Sequence, residues 1–271
     1  MTVLLDTKGL TVTFGGLNAN DNVDLSVETG SFVGLIGPNG AGKTTFVDAI
    51  TGFVPTSAGT ASFDGHDLAP LKPHQRSQLG LVRTFQSLEL FEDLSVRDNL
   101  LVAAHPTRWY TLLLDVLHLR QQTSEIDARV DWALDVAGLT SHADALPTDL
   151  PHGQRKLVGV ARALAAQPKL VLLDEPAAGL DTAESNSLGS HLRGLLDHNI
   201  TVFLIDHDMG LVLSVCDYIY VMDFGQIIAA GTPAEIRTNP EVRAAYLGEE
   251  AGEAQARSAE ELRGMTGGRD E

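Results

Sequence analysis

The chain is poor in three things, and each shortage narrows what it can do. Cysteine occurs once, at Cys216, in 271 residues. No intrachain disulfide can form and no cysteine-based metal site can be assembled, which suits a reducing cytoplasm. A lone cysteine of this kind reads as a small apolar filler. Basic residues are outnumbered, 19 Lys and Arg against 36 Asp and Glu, for a formal net charge of -17. That balance argues against a general nucleic-acid binder, which presents a basic face. Long apolar runs are also missing. No uninterrupted stretch approaches the roughly 20 residues of a membrane span, and no N-terminal segment combines a basic flank with an apolar signal region. The expectation is a soluble chain that can dock against a membrane through partners but does not enter it.

What is present is enough apolar material for a sizeable core, with 44% hydrophobic residues, arranged as alternating strand-like and helix-like segments. This predicts one α/β unit carrying an inserted piece. Its centre is Gly37-Pro38-Asn39-Gly40-Ala41-Gly42-Lys43-Thr44, a G-x-x-x-x-G-K-[ST] pattern. Phe32 to Ile36 before it reads as a buried strand, and Thr45 to Thr51 after it as a helix that Gly52 terminates. Gly37, Gly40 and Gly42 let the backbone close around an anion, so that N–H groups and a helix N-terminus point at it. Lys43 would neutralise the β and γ phosphates, and the Thr44 hydroxyl would ligate Mg²⁺. A purely structural turn needs neither residue.

Along the rest of the chain, Leu10–Phe14 and Val23–Val27 read as strands of an antiparallel sheet leading to the central strand. Phe14, beside Gly15-Gly16, is either a purine-stacking aromatic or a core residue. Thr60 to Phe63 with Asp64-Gly65 predicts a hairpin, Pro73–Leu79 a short helix, and Leu81–Phe85 a strand delivering Gln86, whose amide can ligate Mg²⁺ and position water. Capping-box patterns at Ser95–Asp98 and Ser124–Asp127 each predict a helix start. The apolar run Trp109–Leu119 lies between them, either packed inside a helical insert or contacting the membrane or a membrane protein.

Leu150 to Lys156 then precedes apolar residues at helical spacing, with Gly153 and Gln154 placed to offer N–H groups and an amide at a helix N-terminus. Leu170–Leu173 followed by Asp174-Glu175 is the stronger signal. Paired carboxylates closing a buried strand are costly unless a cation or polarised water uses them, which suggests Asp174 for the Mg²⁺ shell and Glu175 for the attacking water. Asp181 caps a helix from Thr182, completed by Glu184. Ile200–Ile205 is a strand ending at Asp206-His207-Asp208, and His207 stands where α/β folds place ligand contacts. Tyr218–Met222, a turn at Asp223-Phe224-Gly225, Gln226–Ala229 and a capped helix from Thr232 follow. Gly248 stops the last helix, and 251–271 has the composition of a disordered tail.

In this order the motifs resemble those of the ATP-binding-cassette ATPases over nearly the whole chain. Phe14 matches the adenine-stacking aromatic, Gly37 to Thr44 the Walker A loop, Gln86 the Q-loop residue and Leu150 to Gln154 the signature sequence. Asp174 and Glu175 match the Walker B aspartate and the catalytic glutamate, Ala178 to Asp181 the D-loop, and His207 the switch histidine. The resemblance implies a P-loop NTPase (RecA-like) core in residues 1–87 and 156–250, an N-terminal antiparallel β subdomain and an inserted helical subdomain at 88–155. It implies that Gly37, Pro38, Asn39, Gly40, Ala41, Gly42, Lys43, Thr44 and Thr45 hold ATP with Phe14. Mg²⁺ would fall to Thr44, Gln86 and Asp174, and catalysis to Glu175, His207, Gln86 and Lys43. Gly153, Gln154 and Asp181 would meet nucleotide across a head-to-tail pair.

Within the family, Phe14-Gly15-Gly16-Leu17, Arg83-Thr84-Phe85-Gln86, Glu175 to Leu180 and the segment Gly231 to Gly248 resemble the ATPase subunits of branched-chain amino-acid importers. Importers of related small solutes share much of this pattern, and cassettes for lipid or polysaccharide export or iron–sulfur assembly are the alternatives. The implied partners are a second ATPase subunit, two permease subunits and, indirectly, an external solute-binding protein, at the cytoplasmic face of the membrane; nucleic acid is not among them. One departure stands out. Pro151 and His152 replace the Ser and first Gly of the usual Leu-Ser-Gly-Gly-Gln, which removes a hydroxyl and an N–H from the helix start. The importers that this chain resembles often vary here and usually pair two different ATPases, so the resemblance implies a heterodimer with two unequal sites, the poorer one using this signature.

Overall fold

The computed structural model describes residues 2–84, 90–104 and 115–246, with the backbone alone over 115–123. Gln86, most of the Trp109–Leu119 run, Gly248 and the segment 251–271 lie outside the described residues.

The chain starts with a long antiparallel pair, β1 (Val3–Phe14) and β2 (Leu17–Glu28), closed by Gly15-Gly16 with Phe14 paired to Leu17. β1 begins earlier than the expected Leu10, because register shifts between Thr7 and Leu10 hide its in–out alternation from the sequence. β3 (Phe32–Ile36) is buried at all five positions and leaves this sheet for a second one. α1 (Lys43–Thr51) follows, ended by Gly52 in the left-handed conformation. β4 (Ala58–Phe63) and β5 (His66–Asp67) form the expected Asp64-Gly65 hairpin. α2 (Pro73–Gln78) and β6 (Leu81–Arg83) lead to α3 (Val96–Ala104), α4 (Asp115–Val136) and α5 (His152–Ala165). The core then completes as β7 (Leu170–Asp174), α6 (Thr182–Gly194), β8 (Thr201–Ile205), α7 (Met209–Val215), β9 (Tyr218–Asp223), β10 (Gln226–Gly231) and α8 (Pro233–Thr238).

Two sheets result among the described residues, ordered β2-β1-β4-β5 and β10-β9-β3-β8-β7-β6. The first is antiparallel. In the second, β9, β3, β8, β7 and β6 run parallel, and β10 is an antiparallel edge. Strand alternation divides the core. Val33, Leu35, Leu172 and Phe203 face α1 and the first sheet, where Phe46 meets Phe203 edge-on at 6.3 Å. Phe32, Ile36, Val171 and Leu204 face the other way, into one apolar cluster with α3 to α7. α3, α4 and α5 pack on one another and share that cluster, so they close over the sheet without a separate core. Cys216 is a buried filler in the same cluster, and its burial pushes the thiol pKa up.

One predicted boundary is wrong. Ser124 to Asp127 does not start a helix, because α4 passes through it unbroken from Asp115. The apolar positions Ile126, Val130, Ala133 and Leu134 keep helical period there, and a Ser–x–x–Asp inside a continuous helix finds no orphan N–H to cap. Ser95 does cap α3: Asp98 N–H donates to Ser95 Oγ at 3.0 Å, and that hydroxyl donates to Asp98 Oδ2 at 2.7 Å.

Asp217 joins three elements. It accepts from Phe32 N–H at the start of β3 at 2.9 Å and pairs with Arg193 of α6 at 2.7 Å, immediately before β9. Desolvation opposes its ionisation, but the Arg193 and Phe32 hydrogen bonds outweigh that, and its pKa lies below the usual 3.8. A depressed carboxylate stabilises the fold above its unfolded pKa and ceases to as pH falls through the lower folded value. Asp217→Asn should therefore lower the urea midpoint at about pH 7, with the gap to the parent chain closing below about pH 4. A gap that is constant with pH would contradict this reading.

Candidate active site

The carboxyl ends of β3, β7 and β8 lie side by side, and the loops leaving them carry the polar residues singled out in the sequence. A cavity of about 390 Å³ opens there, within the size range of ligand pockets. Its lining includes Asn39 to Thr45 of the phosphate loop, Glu175, the Leu17–Ala19 corner and Phe224-Gly225.

The loop geometry follows from what surrounds it. A Cβ on Gly37 would lie 2.0 Å from the Met222 carbonyl, so only glycine lets the chain leave β3 past β9. Lys43, which opens α1, folds back and donates through Nζ to the carbonyls of Gly37 at 2.6 Å and Pro38 at 2.9 Å. Its ammonium is thus held over the loop, next to the N-terminus of α1, with Thr44 exposed beside it. This is an anion cradle with a cation built in.

On the facing strands, Asp174 ends β7 and Glu175 takes φ 47°, a left-handed turn that costs about 1–3 kcal/mol for a residue with a side chain. Glu175 N–H donates to Ile205 at 2.7 Å, so the turn is pinned to the end of β8. His207 stands just beyond, its Nδ1 3.9 Å from Glu175 Oε1 and 3.5 Å from Asp206 Oδ1. Asp206 accepts from Asp208 N–H at 3.0 Å and Ala177 N–H at 3.4 Å, tying the Glu175 turn to the His207 turn. Its burial raises its pKa, against those hydrogen bonds and the nearby His207. Lys156 of α5 has a lowered pKa from burial, offset by the charges of Asp206 and Glu175.

The structure therefore gathers Asn39 to Thr45 and Glu175 around one cavity, with His207 close to Glu175. Gly37 and Pro38 shape the loop through the Lys43 contacts. Phe14 is 53% exposed at the end of β1, and its partner Leu17, not Phe14 itself, lines the cavity. Asp174 is buried and paired to Arg83 rather than lining the cavity. Gly153 and Gln154 begin α5 away from the cavity, near α6: a Cβ on Gly153 would lie 3.9 Å from Glu184, and one on Gly179 would lie 3.5 Å from His152 Nε2. Asp181 caps α6, accepting from Glu184 N–H at 2.8 Å, as its sequence pattern implied.

Sequence reasoning missed Arg83. Its guanidinium spans Asp48 of α1 at 2.5 Å and Asp174 at 2.7 Å, with the Asp174 side chain fully buried. One fork thus ties the helix behind the phosphate loop to the end of β7 and to the strand leading toward Gln86. A charged residue closing the apolar strand β6 was the available signal.

A family profile described as "ABC transporter" matches residues 20–178, more than half of the chain. The chain belongs to the ATP-binding-cassette family. A second profile, described as "Branched-chain amino acid ATP-binding cassette transporter", matches residues 226–252. This cassette is 43% identical over 251 residues to the high-affinity branched-chain amino acid transport ATP-binding protein LivG of Salmonella typhimurium, covering 91% of this chain and 98% of that one. It is 41% identical, with the same coverage, to the corresponding protein BraF of Pseudomonas aeruginosa. Among solved structures it is similar to the ADP conformation of MJ1267, an ATP-binding cassette of an ABC transporter, with a TM-score of 0.81 and 32% identity over 92% of this chain and all of that one. The expected fold, a P-loop NTPase with mixed α/β sheets and packed helices, is borne out, and as an ABC ATPase the cassette binds and hydrolyses ATP.

The Arg83 fork yields a stability prediction. Arg83→Gln should lower unfolding free energy by about 3 kcal/mol, since it strips the guanidinium from a buried carboxylate, and Arg83→Lys should recover part of the loss. Urea denaturation measures both, and a loss under about 0.5 kcal/mol for Arg83→Gln would refute the role given to the fork.

Proposed function

We propose that this cassette is the ATP-hydrolysing subunit of an importer for branched-chain amino acids or a related small solute. The observation that carries the catalytic part is the convergence of Lys43, Thr44 and Glu175 on one cavity, with His207 3.9 Å from Glu175. The identity to LivG and BraF, together with the match of 226–252, supports the importer reading over an exporter or an iron–sulfur assembly cassette.

The triphosphate lies on the loop from Gly37 to Thr45. Lys43 exchanges carbonyl contacts for the β and γ phosphates, and the N–H groups of the loop and first turn of α1 take the remaining oxygens. The donor set fits Mg²⁺, since that ion prefers hard oxygens and takes few from protein, keeping waters and phosphates for the rest. Thr44 and Asp174, with Gln86, would hold it. When bound, it neutralises charge developing on the transferring phosphoryl group. Glu175 orients and deprotonates the attacking water, and His207 holds the γ-phosphate side of that geometry.

Gly153, Gln154 and Asp181 stand apart from the cavity, which fits their action on a nucleotide held by a second ATPase subunit paired head to tail. Pro151 and His152 weaken this signature as a phosphate contact. From the resemblance to importers that pair two different ATPases, we infer that the second subunit is a different chain and the two sites are unequal. Closure and reopening of the pair drive two permease subunits, fed by an external solute-binding protein, with the cassette peripheral at the cytoplasmic face. Among the described residues no helix is long and apolar enough to cross a membrane.

Expression in the native host of tagged Glu175→Gln cassette, captured with Mg-ATP, should recover two permeases and a second, different ATPase; Lys43→Ala should lose the nucleotide dependence. Recovery of soluble partners alone would overturn the transport reading.

A further inference from the structure

The turn between β9 and β10 breaks a local rule. Asp223 pairs with Gln226 around a two-residue loop in which Phe224 has φ 42° and Gly225 φ 79°. A turn with both angles positive favours Asn, Asp or Gly at its first position, because a side chain there crowds the backbone. Phe is a poor choice, and it is also 87% exposed, more than any other large apolar side chain among the described residues. Strain and exposed aromatic surface at one residue call for a use.

The turn is also fixed in place. Gly225 N–H donates to the Ala41 carbonyl of the phosphate loop at 2.8 Å, and the Gly225 carbonyl accepts from Asp21 N–H of β2 at 2.9 Å. Gln226 Nε2 adds a bond to Asp21 Oδ2 at 2.9 Å. A Cβ on Gly225 would lie 2.7 Å from the Ala19 carbonyl, so the turn sits directly on β2. Phe224 is thereby held at the cavity, where it and Leu17, itself 74% exposed, join the phosphate loop in the lining. A nucleotide whose phosphates rest on the loop carries its base outward, toward a wall that needs an apolar face.

We propose that Phe224 is a base-stacking residue, which flanks the purine of the bound nucleotide together with Leu17 and favours purine nucleotides over bare phosphates. This rests on the reading of the phosphate loop as the nucleotide site. The anchoring bonds to Ala41 and Asp21 place the ring, and the strain at residue 224 is retained for the contact it makes.

The test is equilibrium binding of ATP and of inorganic tripolyphosphate, which lacks a base, to the full chain and its variants. Phe224→Asn supplies the residue that this turn favours, so it should melt no lower than the parent. It should nevertheless weaken ATP about tenfold, the scale of one aromatic stacking contact, and leave tripolyphosphate within about twofold. Phe224→Trp should keep ATP affinity within about threefold. Lys43→Ala should weaken both probes. ATP binding by Phe224→Asn equal to the parent, or equal losses of ATP and tripolyphosphate, would overturn the stacking role. A Lys43→Ala chain that binds both probes normally would instead sink the phosphate-loop reading.

Discussion

Where the chain leaves β3 it passes so close to β9 that a methyl group on Gly37 would sit 2.0 Å from the Met222 carbonyl. That contact brings the phosphate loop against the β9–β10 hairpin, and the backbone bond from Gly225 to Ala41 then locks the two together. Asn20 of β2 completes the seat by donating to the Gly42 carbonyl at 3.1 Å. The loop is consequently shaped by both sheets before any ligand arrives, with Lys43 drawn over it by the carbonyls that the tight turn exposes. Preorganisation of this kind lowers the cost of ordering donors around a triphosphate.

A second constraint is electrostatic. The parallel sheet delivers Asp174, Glu175, Asp206 and Asp208 to one edge, a density of negative charge that burial alone would make unfavourable. Arg83 answers Asp174, while backbone N–H groups of Ala177 and Asp208 answer Asp206. Glu175 is left partly exposed, next to His207 and lining the cavity. Neighbouring carboxylates thus differ: Asp174 and Asp206 are buried and bonded into the fold, while Glu175 lines the cavity.

Much of this was legible from residue order. The phosphate loop, the Asp174-Glu175 pair and His207 announce themselves because polar residues of particular types close short apolar strands, and parallel strands bring such ends together. The cap at Ser95 and the capping box at Asp181 were equally local. The failure at Ser124 shows the limit of that logic, since a cap motif is informative only where a helix is free to start, and the continuous period of α4 overrides it. Arg83 could be noticed as a charge closing an apolar strand, but not read: its partners lie 35 and 91 residues away, and no local pattern encodes such a fork. Phe224 hid inside a correctly placed turn, because the turn's position was readable while its unusual occupant became informative only beside the phosphate loop.

On the proposed mechanism Glu175 serves the chemical step without holding the nucleotide. ATP turnover by the assembled transporter carrying Glu175→Gln, with ATP affinity measured on the same preparation, separates the two roles. A turnover loss of about 10² to 10⁴-fold, the scale of a general base, is expected at unchanged affinity. Turnover within a few-fold of the parent, or a loss explained wholly by weaker binding, would contradict that mechanism.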